Sequence, residues 1–291
     1  MSACDRVAII SGAGKGLGRA YAHYLAARGV AVVVNNRRHA SDTETSADRV
    51  VREITEQGGQ AVAHFGAAED PSTGEELLAC ALKHFGRLDV VIANAGVSEA
   101  ASFTRQNPEQ FAQTLEINLL GTAYLLLPTF RHLYEQSSGH VLVSTSAAGL
   151  YGEHGLPGYS AAKAGVIGLM RSLAIEGRSH NVQVNAIAPF ARTQMTDASM
   201  SAAAIEGLAP EEVAPVAAAL VAKDSRTTGE VIVAAGGRLA RASVCSGAVR
   251  IADASEKSVN AALAEVFADG PHDTYPGAVA MFQDFMSPAS P

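Results

Sequence analysis

Short β-branched runs recur at residues 7–11, 30–35, 61–65, 89–93, 140–145, 182–187 and 230–233, and stretches of helical periodicity fill the intervals at 17–28, 45–57, 74–84, 109–136, 158–178 and 210–222. Regular alternation of strand and helix on this scale predicts an α/β fold, a doubly wound parallel sheet with helices on both faces. Val30-Ala-Val-Val-Val34 and Val90-Val-Ile-Ala93 are apolar at every position rather than at every second one, as strands covered on both sides require. Residues 1–237 read as one domain. Residues 238–291, with Gly, Asp, Ser and Pro around one helix-like stretch at 255–267, read as a C-terminal extension packed on the same domain or on a neighbouring subunit.

At 48% hydrophobic and 18% charged residues, the chain can bury a large core. Its net charge of -7 argues against nucleic acid or an anionic membrane as main partner, because both require clustered positive charge. The first residues carry no basic flank leading into a long apolar segment, and no apolar run approaches the length of a membrane span. The expectation is a soluble, unprocessed protein with a small-molecule partner. Cys4, Cys80 and Cys245 are odd in number and lack metal-type spacing, which fits thiols in a reducing cytoplasm. His154 and His180 have no second ligand at metal spacing, so no metal is expected.

The first chemical signal is Ser11-Gly-Ala-Gly-Lys-Gly-Leu-Gly18, which follows a predicted strand and opens a predicted helix. There a dinucleotide pyrophosphate can meet free backbone N–H groups and the positive helix end, with Gly12, Gly14, Lys15, Gly16, Leu17 and Gly18 as candidate contacts. The spacing is GxxxGxG and not the common GxGxxG. The second strand ends in Asn35-Asn36-Arg37-Arg38, where an acidic residue would select an unphosphorylated ribose. Asn36 repels no 2'-phosphate and Arg37 or Arg38, with Lys15, can hold one, which favours NADP(H); Asn36 bonding the ribose hydroxyls of NAD(H) is the alternative.

The second signal is Tyr159 and Lys163. Residues four apart share a helix face, so the lysine ammonium can lie beside the phenol and favour its ionised form. A phenol so placed can exchange protons with an alcohol or ketone while a nicotinamide exchanges hydride with it.

Gly12-x-x-x-Gly16-x-Gly18, Asn94-Ala95-Gly96, Asn118, Ser146, Tyr159-x-x-x-Lys163 and Asn185-Ala-Ile-Ala-Pro189 together resemble the classical short-chain dehydrogenase/reductase family over residues 7–237. Within it, Tyr151-Gly152, Tyr159-Ser-Ala-Ala-Lys163, Leu173-Ala-Ile-Glu-Gly-Arg178, Met195-Thr196 and Pro210-Glu-Glu-Val-Ala-Pro215 are similar to the (3R)-hydroxyacyl-CoA dehydrogenase domain of type-two multifunctional enzymes and its bacterial relatives. The resemblance implies a Rossmann-type catalytic and dinucleotide-binding domain. It further implies Tyr159 as general acid/base, Lys163 as its activator and ribose ligand, Ser146 as holder of the substrate oxygen, and Asn118 as the residue placing a relay water. Asn94, Ala95, Gly96, Pro189 and Thr193 would border the cofactor, and the helices at 109–136 and 158–178 would build a homodimer or homotetramer. Ser11, Asn36, Gly66, Ala93 and Phe190 depart from the family pattern, and none of them removes a catalytic group.

In the resembled family, segments containing Leu150, Tyr151, Glu153, His154, Leu156, Phe190 and residues 195–208 line the substrate cleft. Their apolar character suits an acyl thioester or a steroid better than a sugar, whose hydroxyls each want a partner. Arg192, Arg238 and Arg241 are candidate contacts for coenzyme A phosphates. The expected activity is NAD(P)-dependent interconversion of a secondary alcohol and a ketone, a 3-hydroxyacyl-CoA/3-oxoacyl-CoA pair. A hydroxysteroid dehydrogenase or general ketone reductase is the alternative, and a non-catalytic nucleotide-binding scaffold the reading from another class.

Overall fold

The computed structural model describes residues 5–38, 43–194, 207–244, 250, 252–253, 255–268 and 278–286. Eight strands form one sheet: β1 (Arg6–Ile10), β2 (Val30–Asn35), β3 (Ala61–His64), β4 (Val90–Ala93), β5 (Gly139–Ser144), β6 (Val182–Pro189), β7 (Val231–Ala235) and β8 (Arg238–Ala242). Their order is β3-β2-β1-β4-β5-β6-β7-β8. The first seven run parallel and β8 is antiparallel to β7. Every residue of β2, β4 and β5 is buried, while the edge strand β3 is half-buried, so the unbroken apolar runs mark the interior of the sheet.

Helices cover both faces. α1 (Gly16–Ala26), α2 (Ser46–Glu56) and α8 (Pro210–Leu220) bury one face, and α3 (Thr73–Phe85), α5 (Gly121–Glu135) and α7 (Pro157–Gly177) bury the other. Two hydrophobic layers result, one around Ile10, Tyr21 and Ile54 and one around Ile9, Leu133 and Met170. The strand order reverses between β1 and β4, which opens a crevice at the carboxyl ends of the strands.

Four elements differ from the sequence expectation. The stretch expected as one helix at 109–136 is α4 (Pro108–Leu115), a π-helical turn over Glu116–Leu120, and then α5. A short α6 (Ala147–Tyr151) follows β5. The extension begins with β8, so the sheet does not end at β7; its alternating half-buried and exposed Arg-Leu-Ala-Arg-Ala carries no apolar period of its own. Beyond α9 (Glu256–Ala268) lies α10 (Ala278–Met286), whose Ala278 and Phe282 are buried against the domain of the same chain. Cys80 is a free, half-buried thiol; Cys4 and Cys245 lie outside the described residues.

At the amino ends of the strands, the Asp89 carboxylate accepts from Val7 N at 2.8 Å and from Arg87, and an Arg6 guanidinium nitrogen lies 3.4 Å from His140 Nδ1. Burial, reinforced by the Arg6 charge, pushes the His140 imidazole down to about 4. Arg226 adds to this, whereas the Ser225 carbonyl and Asp89 oppose it. Between pH 6.5 and 4 the unfolded chain takes up a proton that the folded chain refuses, so this contribution to stability is lost as the pH falls through that window. Its full size is about 3 kcal/mol. His140→Gln should flatten the parent's fall in urea midpoint between pH 6.5 and 4; an unchanged pH profile would exclude His140 as the cause.

Candidate active site

The first wall of the crevice is the glycine turn between β1 and α1. Gly12 has φ +64°, a left-handed conformation, and a Cβ on it would lie 2.8 Å from Ala95 Cα. At Gly18 an added Cβ would overlap the Gly12 carbonyl, so α1 seats directly on the turn. Gly14 is closed off by the Ser46 and Asn36 side chains, and Gly16 faces Thr193. Lys15, the residue before α1, makes no side-chain cap, and the first helical turn carries no acidic residue. The helix start therefore keeps N–H groups and a positive dipole end for an anion. Gly12, Lys15, Gly16, Leu17, Pro189 and Thr193 line a cleft of about 760 Å³. Gly14 and Gly18 are not among its lining residues and serve packing.

Asn94, just past β4, ties three strand ends together. Its amide nitrogen donates to the carbonyls of Ser11 and Gly12 at 3.3 Å each, and its Oδ1 accepts from Ser144 Oγ at 3.1 Å. Ser11 Oγ accepts in turn from the backbone N–H of Asn94 and of Ala95. Asn118, fully buried in the π-helical turn, clasps Val97 in both directions: Nδ2 donates to Val97 O at 2.9 Å and Oδ1 accepts from Val97 N at 3.2 Å. Its second donor goes to Thr114 O, so both amide N–H groups are committed to backbone carbonyls. The clasp holds Gly96 so close that a Cβ there would lie 2.6 Å from Asn118 Oδ1 and 3.4 Å from Lys163 Nζ.

Ser146, Tyr159 and Lys163 meet at the carboxyl end of β5. Ser146 caps α6, its Oγ accepting from Ala148 N at 3.2 Å. α6 packs tightly on α7, because Gly149 leaves no room for a side chain against the Lys163 backbone. Lys163 is buried; Nζ donates to Ser144 O at 2.9 Å and sits 5.7 Å from the centre of the Tyr159 ring. Burial pushes its ammonium down to about 8, which still leaves it charged at neutral pH. Burial also pushes the Tyr159 phenol up, and a side-chain hydrogen bond with Ser146 opposes this. The direction is opposite to the lowering by Lys163 expected from the sequence, because the desolvation of the hydroxyl outweighs the hydrogen bond with Ser146.

A glycine turn at a helix start, an asparagine hub and this Ser-Tyr-Lys cluster share one cleft. Residues 6–204 match the model of the short chain dehydrogenase family. The chain belongs to that family of oxidoreductases. It is 41% identical over 215 residues to the peroxisomal multifunctional enzyme type 2 of Mus musculus, a match covering 72% of this chain and 29% of that enzyme. It is 38% identical over 193 residues to a 3-oxoacyl-[acyl-carrier-protein] reductase of Synechocystis, covering 66% of this chain and 76% of the reductase. The crystal structure of a short chain dehydrogenase from Mycobacterium avium superimposes with a TM-score of 0.84 at 32% identity, over 95% of this chain and all of that one. Members of the family bind NAD(P), act on small molecules and are often oligomeric.

In this short-chain dehydrogenase one end of the cleft is bounded by Asn36, Arg37 and Glu69. Asn36 Nδ2 donates to Ser46 Oγ at 2.9 Å, and Arg37 pairs with Glu69 at 3.2 Å. Arg38 is exposed, its guanidinium 5.9 Å from the Phe65 ring centre, and does not line the cleft. At the other end lie Glu153, His154, Leu156 and Phe190, whereas Leu150 and Tyr151 pack into the core. Residues 195–206 are outside the described ones. None of Arg192, Arg238 and Arg241 lines the cleft, and Arg241 pairs with Glu230 at 3.1 Å. Sequence reasoning missed Glu69 and the three lining residues Ala278, Val279 and Phe282. For the last group a signal existed, apolar residues at 278, 282 and 286 on one helix face. Among the described residues no group of three or more His, Cys, Asp or Glu is arranged to hold a metal, and no helix is long and apolar enough to cross a membrane.

Proposed function

We propose that this chain interconverts a secondary alcohol and a ketone with NAD(P), acting on a 3-hydroxyacyl/3-oxoacyl thioester pair. The observation that carries this is the convergence of Ser146, Tyr159 and Lys163 on a cleft whose far end combines the apolar Leu156, Phe190 and Phe282 with Glu153 and His154. Ser146 and Tyr159 hold the substrate oxygen. Tyr159 donates its proton to that oxygen in the reductive direction, for which the raised, neutral phenol is the competent form. Lys163, charged below about 8, faces the Tyr159 ring and steadies the phenolate left behind. Gly12, Lys15, Gly16 and the start of α1 would hold the pyrophosphate, Thr193 and Pro189 would border the nicotinamide, and the bound nicotinamide supplies or accepts the hydride. Asn118 stiffens the site through Val97 and, by resemblance, positions a relay water. The likeness to a 3-oxoacyl reductase favours the thioester. A hydroxysteroid or general ketone reductase is the second reading, favoured by the absence of the three candidate arginines from the cleft lining.

Incubating the purified protein with 3-oxoacyl thioesters, steroids and simple cyclic ketones, while following the absorbance of the reduced cofactor, separates these readings. Turnover of steroids alone would refute the thioester assignment. Gel filtration tests the homodimer or homotetramer we infer, and fractionation of the source cell tests the cytoplasmic location.

NADP(H) is the cofactor we favour, with Arg37 reaching the 2'-phosphate in exchange for Glu69. Removing one charged hydrogen bond of this kind lowers affinity about ten- to a hundredfold. Arg37→Ala should therefore lower kcat/KM with NADPH to that extent and leave NADH within about twofold. An equal loss with both cofactors would assign Arg37 to the fold instead.

A further inference from the structure

The last described helix, α10, stands over the substrate end of the cleft and is held there by specific bonds. Ala278, Phe282 and Met286 lie four residues apart on one face, and that face meets Leu208, Ala235 and Phe190. The Phe190 and Phe282 rings lie 4.5 Å apart between centres, tilted by 39°. Two bonds seat the helix start, whose first N–H groups have no partner within the helix. Ala278 N donates to Gly152 O at 2.9 Å, and Val279 N donates to Glu153 Oε2 at 2.9 Å. The other oxygen of Glu153 accepts from His154 N at 2.9 Å, which fixes the carboxylate in line with the positive end of α10. Ala278, Val279 and Phe282 share the cleft lining with Ser146 and Tyr159.

A helix needing only to cover the core would have no use for an aromatic ring in the lining of the reacting cleft, nor for a carboxylate from the loop between α6 and α7 at its start. We propose that α10 is the end wall of the substrate site. Phe282, stacked on Phe190, sets how long a substrate tail the cleft admits, and Glu153 is the positioning residue that holds the wall. The inference rests on the substrate end lying where the proposed function puts it, and it adds to that reading the element that selects among thioesters or ketones by length.

The test compares the parent with Phe282→Ala, Glu153→Ala and Glu153→Gln on a graded series of 3-oxoacyl thioesters, from short to long chains. Each further methylene seated in apolar surroundings contributes about fourfold. Phe282→Ala should therefore raise the long-to-short ratio of kcat/KM by about tenfold or more, with the reduced-cofactor Kd unchanged as the check on folding. Glu153→Ala should broaden length selection in the same direction, and Glu153→Gln, which keeps an oxygen for Val279 N, should restore it. An unchanged ratio in Phe282→Ala with cofactor binding intact overturns the proposal.

A second readout needs no turnover. The chain has no tryptophan, so Phe282→Trp places a single reporter in the proposed wall. A saturable shift of its emission on adding a long-chain 3-oxoacyl thioester supports the wall even if the parent reduces none of the series, in which case the proposed reaction fails and the wall stands. Turnover by the parent without any such shift leaves the reaction standing and removes the wall.

Discussion

Replacing Tyr159 by phenylalanine should lower kcat by about a thousandfold, the usual scale of a positioned general acid or base. The substitution removes one oxygen and keeps the ring, so the contacts of Tyr159 with the core and the approach of Lys163 to its face are retained. Cofactor Kd should rise by no more than about fivefold, the worth of one neutral hydrogen bond. Stopped-flow reduction and a fluorescence titration with the reduced cofactor separate the two quantities. Activity within tenfold of the parent would remove Tyr159 from the chemistry, and with it the proposed reaction.

Lys163→Met should separate activity from stability in the opposite sense. Burial holds the lysine ammonium at about 8, against an ordinary value of 10.5, so at neutral pH the folded chain carries a buried charge at a cost of about 3 kcal/mol. Methionine removes that burden and gives up the charged bond to Ser144 O, worth about 2 kcal/mol. The variant should thus melt at or above the parent's Tm at pH 7, while kcat/KM falls by about a hundred- to a thousandfold through loss of electrostatic support for the phenolate. The sign can be checked by titration. Between pH 8 and 10.5 the unfolded parent holds a proton that the folded parent has released, so the parent gains stability with rising pH and the gap between the two proteins closes. A variant markedly less stable than its parent at pH 7 would mean that Lys163 is a net structural support.

Much of the fold was legible because its signals are local. All seven parallel strands lie where the β-branched runs place them, and α1, α2, α3, α7 and α8 end within two residues of the expected bounds. The break in the helix at 109–136 left no such mark. The π-helical turn carries Asn118, whose clasp on Val97 spans twenty-one positions, and nothing next to Asn118 announces it. β8 was missed because an edge strand with one polar face needs no apolar run. At the site, Tyr159 and Lys163 could be paired from helical spacing alone. That Gly14 and Gly18 serve packing, that Arg37 meets Glu69, and that Arg38 stays outside the cleft depended on what each side chain encountered after folding.

The amino-acid order alone determined the α/β alternation, the glycine turn at the start of α1 and the shared face of Tyr159 and Lys163, since each follows from neighbours within a few residues. Tertiary structure alone decided the direction in which the Tyr159 phenol shifts, the partners of Arg37 and the place of α10 beside the cleft. The physical reason is that desolvation and ion pairing sum over everything packed around a group. For Glu153 and Val279 that surrounding is assembled across 126 positions of chain.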